Sequence, residues 1–287
     1  MKVICLEPQG YCNGVKNALA TAYNALASSS YPRPIYLLGS IIHNQIVIND
    51  FIKKGAILLE KEGASKEELL DTISKGTIII SAHGVSDAIY TKAKQKGLEI
   101  IDTTCGKVKL IQKQMREALL EGYTCLYVGT KRHPECEGIL GISSSIQLIE
   151  SVADVSRLKL NADKIYVSNQ TTLSIYETEK IYALLKEKFP QAKIENSICN
   201  ATTIRQMACY NQALVDLCLV IGDKKSSNTK KLAIASESVG IYTILVESLD
   251  QVKQLDFSKI KTISVTSGAS TPPSIVEEII EYLKRVD

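Results

Sequence analysis

The sequence predicts an α/β protein of three similar four-stranded, mainly parallel α/β units in a pseudo-threefold arrangement. Three observations carry that expectation. Apolar strand-like runs alternate with amphipathic helical stretches along all 287 residues, the alternation repeats after about one third of the chain, and one cysteine recurs at the same point of each repeat. Strands alternating with helices indicate βαβ crossovers and parallel sheets, and a long internal period sets how every element inside it is read.

The elements follow in order. Cys12, Cys105 and Cys199 each close a strand-like run and open a helical stretch: VICLEPQGYC before NGVKNALATAYNAL, EIIDTTC before GKVKLIQKQMREALL, KIENSIC before NATTIRQMACYNQAL. Next comes an apolar strand ending in glycine: IYLLG at Gly39, CLYVG at Gly129, CLVIG at Gly222. After a loop and a helix, a strand ends in glutamate: ILLE at Glu60, QLIE at Glu150, ILVE at Glu247. The strands TIIISAHG, KIYVSNQTT and TISVTSGAS then run into small polar loops, and a helix such as IYETEKIYALLKEKF or PSIVEEIIEYLKRV closes each third. The third repeat lacks a last strand, and the surplus strand Lys2 to Leu6 supplies it. The expected units are 13–104, 105–198, and 199–287 together with 1–12.

Composition narrows the function classes. Hydrophobic residues make up 45% and charged residues 23%, and the net charge is +3. That balance suits a globular chain with a sizeable core and is too weak to point to nucleic acid. No apolar run approaches the ~18 residues of a membrane span. MKVICLEPQG lacks the apolar core of a signal peptide, so a cytoplasmic location is expected. In that compartment the eight cysteines read as thiols or metal ligands and not as disulfides.

Cys5, Cys125 and Cys218 sit inside apolar strands and Cys209 in a helical stretch, where cysteine is a small core hydrophobe. Cys136, in HPECEG, borders a polar loop and is a candidate for an exposed, oxidisable thiol. Cys12, Cys105 and Cys199 differ because they occupy equivalent strand-to-helix turns, which three units facing one axis would bring together. No C-x-x-C pair exists, against a zinc ribbon or a dithiol motif. Three symmetric thiolates without an evident fourth protein ligand suit a cubane iron–sulfur cluster at the centre, with one open iron. Zinc and no metal stay open as alternatives on spacing alone.

The three histidines all follow strands: His43 in SIIHN, His83 in SAHG, His133 in KRHPE. A lone histidine is usually structural, but three at corresponding sheet ends suit anion binding or proton transfer. The third repeat places Ser226, Ser227 and Asn228, then Gly268 to Ser270, at the corresponding points. Such donors suit a phosphate cradle, and equally ordinary helix capping. Glu135 could deliver protons near a metal-bound oxygen, or be a surface salt-bridge residue. Lys224, Lys225, Lys230 and Lys231 read as a solvated face able to steer an anion or an acidic electron carrier.

At GYCNGV (10–15), IIHN (41–44), SAHGVS (81–86), DTTC (102–105), HPECEG (133–138), QTTLS (170–174), ICNATTIRQ (198–206), SSN (226–228) and VTSGAS (265–270) the chain resembles the 4-hydroxy-3-methylbut-2-enyl diphosphate reductases of the non-mevalonate isoprenoid pathway. The resemblance spans essentially the whole chain. It implies one 4Fe–4S cluster per chain on Cys12, Cys105 and Cys199, with one iron not ligated by cysteine and free to bind the substrate hydroxyl. It implies two-electron, two-proton removal of that hydroxyl as water from a small allylic diphosphate. Glu135 then matches the proton-delivering carboxylate and Thr171 its hydroxyl partner, with His133 joining the relay. His43, His83, His133, Ser226, Asn228 and Ser270 match the diphosphate-binding set, supported by Ser227 and Thr172. Ferredoxin or flavodoxin is the implied electron donor, with no nucleic-acid or membrane partner.

Two departures bear on loop geometry. Gly106 stands where many members have proline, and Lys131-Arg132 precede HPE where small residues are common. The competing readings are a cluster-dependent hydro-lyase or condensing enzyme of the quinolinate synthase kind, which HPE and QTTLS disfavour, and a non-enzymatic cluster sensor, for which no DNA-binding motif is evident.

Overall fold

The computed structural model describes residues 1–286. Strand β1 (Lys2–Cys5) leads into a first round of α1 (Asn13–Ala27), β2 (Ile35–Leu38), α2 (Gln45–Lys53), β3 (Ala56–Leu59), α3 (Lys66–Asp71), β4 (Thr77–Ile80), α4 (Asp87–Gln95) and β5 (Glu99–Asp102). The second round is α5 (Gly106–Leu120), β6 (Thr124–Val128), α6 (Pro134–Leu140), β7 (Gln147–Ile149), α7 (Val152–Arg157), β8 (Ile165–Asn169), α8 (Ile175–Lys188) and β9 (Lys193–Ile194). The third runs α9 (Asn200–Tyr210), β10 (Leu217–Ile221), α10 (Ser227–Ser238), β11 (Thr243–Val246), α11 (Leu249–Lys253), β12 (Thr262–Ser267) and α12 (Pro273–Leu283).

These strands form three four-stranded sheets in the same order: β3-β2-β4-β5, β7-β6-β8-β9 and β11-β10-β12-β1. The N-terminal strand thus fills the outer place beside β12 that the third round leaves vacant, with Lys2 opposite Thr262 and Cys5 opposite Val265. The expected "mainly parallel" character sharpens: every strand pair in the three sheets is parallel.

Helices cover both faces of each sheet, which is why the inner strands are apolar without alternation. β4 (TIII), β8 (IYVSN) and β10 (LCLVI) are buried at every position. Ala18, Leu19 and Ala22 of α1 pack on Ile35 and Leu37 of the first sheet. Ile111 and Met115 of α5 pack on Cys125 and Tyr127 of the second, and Cys209 of α9 on Cys218 of the third.

Each helix that follows a catalytic-candidate cysteine therefore belongs to a different sheet from the strand before it. β1, β5 and β9 end sheets three, one and two, whereas α1, α5 and α9 pack on sheets one, two and three. The cysteines lie at the three seams.

Cys125, Cys209 and Cys218 are buried as expected. Two cysteine assignments change. Cys5 is exposed, because β1 is an outer strand whose end positions are left uncovered. Cys136 is fully buried on α6 against Cys125, Tyr127 and Ile139. Burial, and then the charge of Glu135, push its thiol up to about 12, so it is a packing residue and not an exposed, oxidisable one.

Within each sheet the strand order reverses between its first and third strands, β2/β4, β6/β8 and β10/β12. Ligands in open parallel sheets bind at such switch points, beyond the carboxyl ends of the strands. The loops there are those carrying His43 and His83, His133 and Thr171, and Ser226 and Ser270.

Of the two departures, Gly106 is innocuous: a Cβ there would meet nothing within 4 Å. The other is costly. Arg132 is held at φ 65, the one described non-glycine residue with positive φ, and that conformation costs an L-residue about 1–2 kcal/mol. Arg132→Gly should therefore stabilise the protein by roughly 0.5–1 kcal/mol in urea unfolding, despite glycine's greater chain entropy. Destabilisation of that size would contradict the strain.

Candidate active site

The three cysteines are built into the backbone in the same way. Each is the N-cap of its helix, makes no side-chain capping bond, and is half-buried. The amide of Cys12 donates to Ala269 O (3.2 Å), that of Cys105 to Ala82 O (3.0 Å) and that of Cys199 to Thr171 O (3.0 Å). In every case the acceptor lies two residues beyond the neighbouring inner strand, in the loop that carries a polar candidate. One set of hydrogen bonds thus fixes thiols and polar loops together.

One cavity at the meeting of the three seams is lined by Cys12, Cys105 and Cys199, by His43, His83 and His133, by Glu135, Thr171 and Thr172, and by Ser226, Ser227, Asn228 and Ser270. Every catalytic, substrate-binding and metal-ligating candidate of the sequence borders it. Among the described residues, no three His, Cys, Asp or Glu side chains converge on a point that a single metal ion could occupy. Three thiols that share a cavity are a donor set that a multi-atom cluster could use. Gly14 makes room for them, since a Cβ there would lie 2.7 Å from Cys105 Sγ and 3.9 Å from Cys12 Sγ. Burial raises the pKa of Cys105, against which the backbone N–H groups of Lys107 and Val108 favour its thiolate.

Glu135, in the first turn of α6, is buried to 1% exposure. Its Oε2 accepts from Thr171 Oγ1 (2.7 Å), and its Oε1 from Thr171 N (2.9 Å) and from Tyr127 Oη (3.0 Å). Burial raises the carboxyl pKa. The Thr171 and Tyr127 donors and the cation of Lys107 oppose it, but they do not restore the solvation that burial removes. The result is a carboxyl that holds a proton further up the pH scale than an exposed glutamate, beside a hydroxyl that can pass it on.

The histidines form one cluster. Ring centroids are 4.7 Å apart for His43 and His83, 5.7 Å for His83 and His133, and 6.3 Å for His43 and His133. Burial lowers all three pKa values, that of His133 to about 4, and the His83 value is depressed further by its two histidine neighbours and Lys66. At neutral pH they are uncharged donors and acceptors. His133 Nδ1 accepts from Glu135 N (3.2 Å), which leaves the proton on Nε2.

Opposite them, Ser226 caps α10 by accepting from Thr229 N (3.3 Å). Asn228 accepts from Ala269 N (2.9 Å) and donates to Thr202 Oγ1 (3.3 Å). Thr172 Oγ1 donates to Ser227 Oγ (3.0 Å), and Ser270 Oγ to His43 O (3.1 Å). Of this set Ser226 caps a helix, and Asn228, Thr172 and Ser270 tie neighbouring loops together. Lys224, Lys225 and Lys230 are exposed, and Lys231 pairs with Glu177 at 2.6 Å.

The LytB protein family matches residues 3–284. The chain belongs to the LytB family. It is 41% identical over 290 residues to the 4-hydroxy-3-methylbut-2-enyl diphosphate reductase of Halalkalibacterium halodurans, covering all of this chain and 92% of that protein. The enzyme of the same name from Geobacillus sp. is also 41% identical, over all of this chain and 91% of the other. Among solved structures, the E-1-hydroxy-2-methyl-but-2-enyl-4-diphosphate reductase from Plasmodium falciparum superposes with a TM-score of 0.89 at 32% identity, over 99% of this chain and 88% of that one. A second, an (E)-4-hydroxy-3-methyl-but-2-enyl diphosphate reductase described as the terminal enzyme of the non-mevalonate pathway, gives 0.69 at 29% identity with both chains fully covered.

The sequence reading passed over three groups at this site. Tyr127 stands where the equivalent strands have Leu37 and Val220, so an oxygen in an apolar run was the available signal. Gln170 Nε2 donates to Thr172 Oγ1 (2.9 Å) and its Oε1 accepts from Thr130 N (3.0 Å), tying two loops. Lys107 lines the cavity and bears on Glu135.

The lowered His133 pKa has a measurable sign. The folded protein binds fewer protons than the unfolded chain between about pH 4 and the ordinary histidine value of 6.5. Its stability is therefore full above that window and lost as pH falls through it. His133→Asn, which keeps an acceptor for the Glu135 amide, should flatten this loss by roughly 2–3 kcal/mol across the window. An unchanged slope in urea unfolding against pH would refute the buried neutral state.

Proposed function

We propose that this LytB-family chain reduces 4-hydroxy-3-methylbut-2-enyl diphosphate to isopentenyl and dimethylallyl diphosphates, releasing water. The observation that carries the reading is the shared cavity: three half-buried thiols, a buried proton-holding carboxyl and a cluster of anion-binding donors border one space. LytB proteins are iron–sulfur enzymes. Here Cys12, Cys105 and Cys199 would hold a 4Fe–4S cluster with one iron free of cysteine. When bound, the cluster supplies electrons and Lewis acidity.

The chain's own groups do the rest. The reaction breaks one C–O bond and forms one C–H bond, consuming two electrons and two protons: the oxygen leaves as water with one of the protons, and the other ends on carbon. Glu135 holds the proton that the departing oxygen needs, and Thr171 Oγ1, 2.7 Å away, hands it across. His133, linked to Glu135 through its amide, lies beside that relay. The diphosphate is held by His43, His83, His133, Ser226, Asn228 and Ser270, with Thr172 and Ser227 bracing them. The N-terminus of the 12-residue helix α10 adds its dipole.

The functional units are taken as 13–104, 105–198, and 199–287 with 1–12. Among the described residues no helix is long and apolar enough to cross a membrane, and we place the enzyme in the cytoplasm with ferredoxin or flavodoxin as electron donor. The exposed lysines before α10 supply positive charge for such an acidic carrier.

The test pairs turnover with spectroscopy. Reduced, anaerobically purified protein given the hydroxymethylbutenyl diphosphate should form both isoprenoid diphosphates. Glu135→Gln should keep the iron–sulfur absorbance and lose turnover by about 10²–10⁴-fold. Absence of isoprenoid products from the unaltered protein would sink the assignment, and near-normal turnover of the variant would remove Glu135 from proton delivery.

A further inference from the structure

Arg205 lies on α9, behind Cys199, and is 3% exposed. Its two terminal nitrogens donate to backbone carbonyls only, Ala201 O at 3.0 Å and Gly10 O at 2.8 Å. Its Nε is buried with no partner. Among the described residues the arginine salt bridges are those of Arg116, Arg157 and Arg285, so no carboxylate lies within salt-bridge distance of Arg205. Burial lowers its pKa, and the groups that support its charge are Cys12 and Cys199, followed by Glu7.

A guanidinium does not discharge in a protein, and a buried charge without a counter-charge costs several kcal/mol. The fold does not demand a cation here. The residues equivalent to Arg205 in the other two cysteine helices are Ala18 and Ile111, 2% and 0% exposed. A buried position that two repeats fill with hydrocarbon carries a fixed positive charge in the third, on the helix that Cys199 caps and bonded to the carbonyl two residues before Cys12.

We propose that Arg205 is a positioning residue for the redox centre, the built-in counter-charge of the Cys12 and Cys199 thiolates, which makes the cluster easier to reduce. The inference rests on the cluster assignment above. Each one-electron reduction by an external one-electron donor adds one negative charge to the cluster with its thiolates, and a buried cation favours the more negative form. The Gly10 bond is the structural side of the same residue, clamping the turn before Cys12 to α9.

The test uses anaerobic holoenzyme, dithionite as the electron donor, and three proteins: wild type, Arg205→Gln and Arg205→Lys. Iron and sulfide content is read first, then the reduced-to-oxidised ratio by electron paramagnetic resonance at the wild-type midpoint potential. Arg205→Gln should lower that ratio about tenfold or more, and Arg205→Lys, which keeps the charge but not the fork of donors, should stay within about threefold of wild type. Loss of the cluster in Arg205→Gln with retention in Arg205→Lys supports the same conclusion. Unchanged ratios in both variants, equal shifts in both, or loss of the cluster from both would overturn it and leave Arg205 a structural tie. A wild-type protein without iron and sulfide would instead refute the cluster assignment.

Discussion

The site depends on one backbone contact made three times: the amide of a helix-capping cysteine donating to a carbonyl two residues past the neighbouring strand. Because β1, β5 and β9 end one sheet while α1, α5 and α9 pack on the next, each contact also joins two sheets. A thiol position is therefore set by rigid elements on both sides and not by the loop it sits in. The carbonyls belong to the SAHG, QTT and GAS loops, so the polar side chains of those loops are registered to the thiols by the same bonds.

The cavity's polar groups divide the chemistry by charge state. Burial keeps three histidines neutral while Glu135 holds its proton further up the pH scale. Tyr127 and Thr171 orient that carboxyl from two sides. Of the cations, Lys107 bears on Glu135, and Arg205 stands with Cys12 and Cys199.

Most of the fold was legible because the repeat constrains itself. Glycine, glutamate and small-polar endings recur at the same point of each third, and the structure gives two of the glutamates the same job. Glu150 and Glu247 accept from Lys131 N (2.6 Å) and Lys224 N (3.0 Å), each two residues after the strand-ending glycine. Cys5 was misread because an outer strand has the same apolar composition as an inner one, and only pairing tells them apart. Cys136 was misread because a polar neighbourhood in sequence, HPECEG, turns one helical face inward. The candidate residues emerged where polar side chains interrupt strand ends. Tyr127 and Arg205 did not, since each sits inside an apolar element, and only comparison with its repeat mates, Leu37 and Val220 or Ala18 and Ile111, marks it as unusual.

The central claim is that three seam cysteines together hold one cluster, leaving a position for chemistry. Its most direct test is the visible spectrum with iron and acid-labile sulfide content of anaerobically purified protein, beside Cys105→Ser. The account predicts about four irons and four sulfides per chain with broad charge-transfer absorbance, lost when Cys105 is replaced. Zinc, an absence of metal, or undiminished iron and sulfide in Cys105→Ser would contradict it.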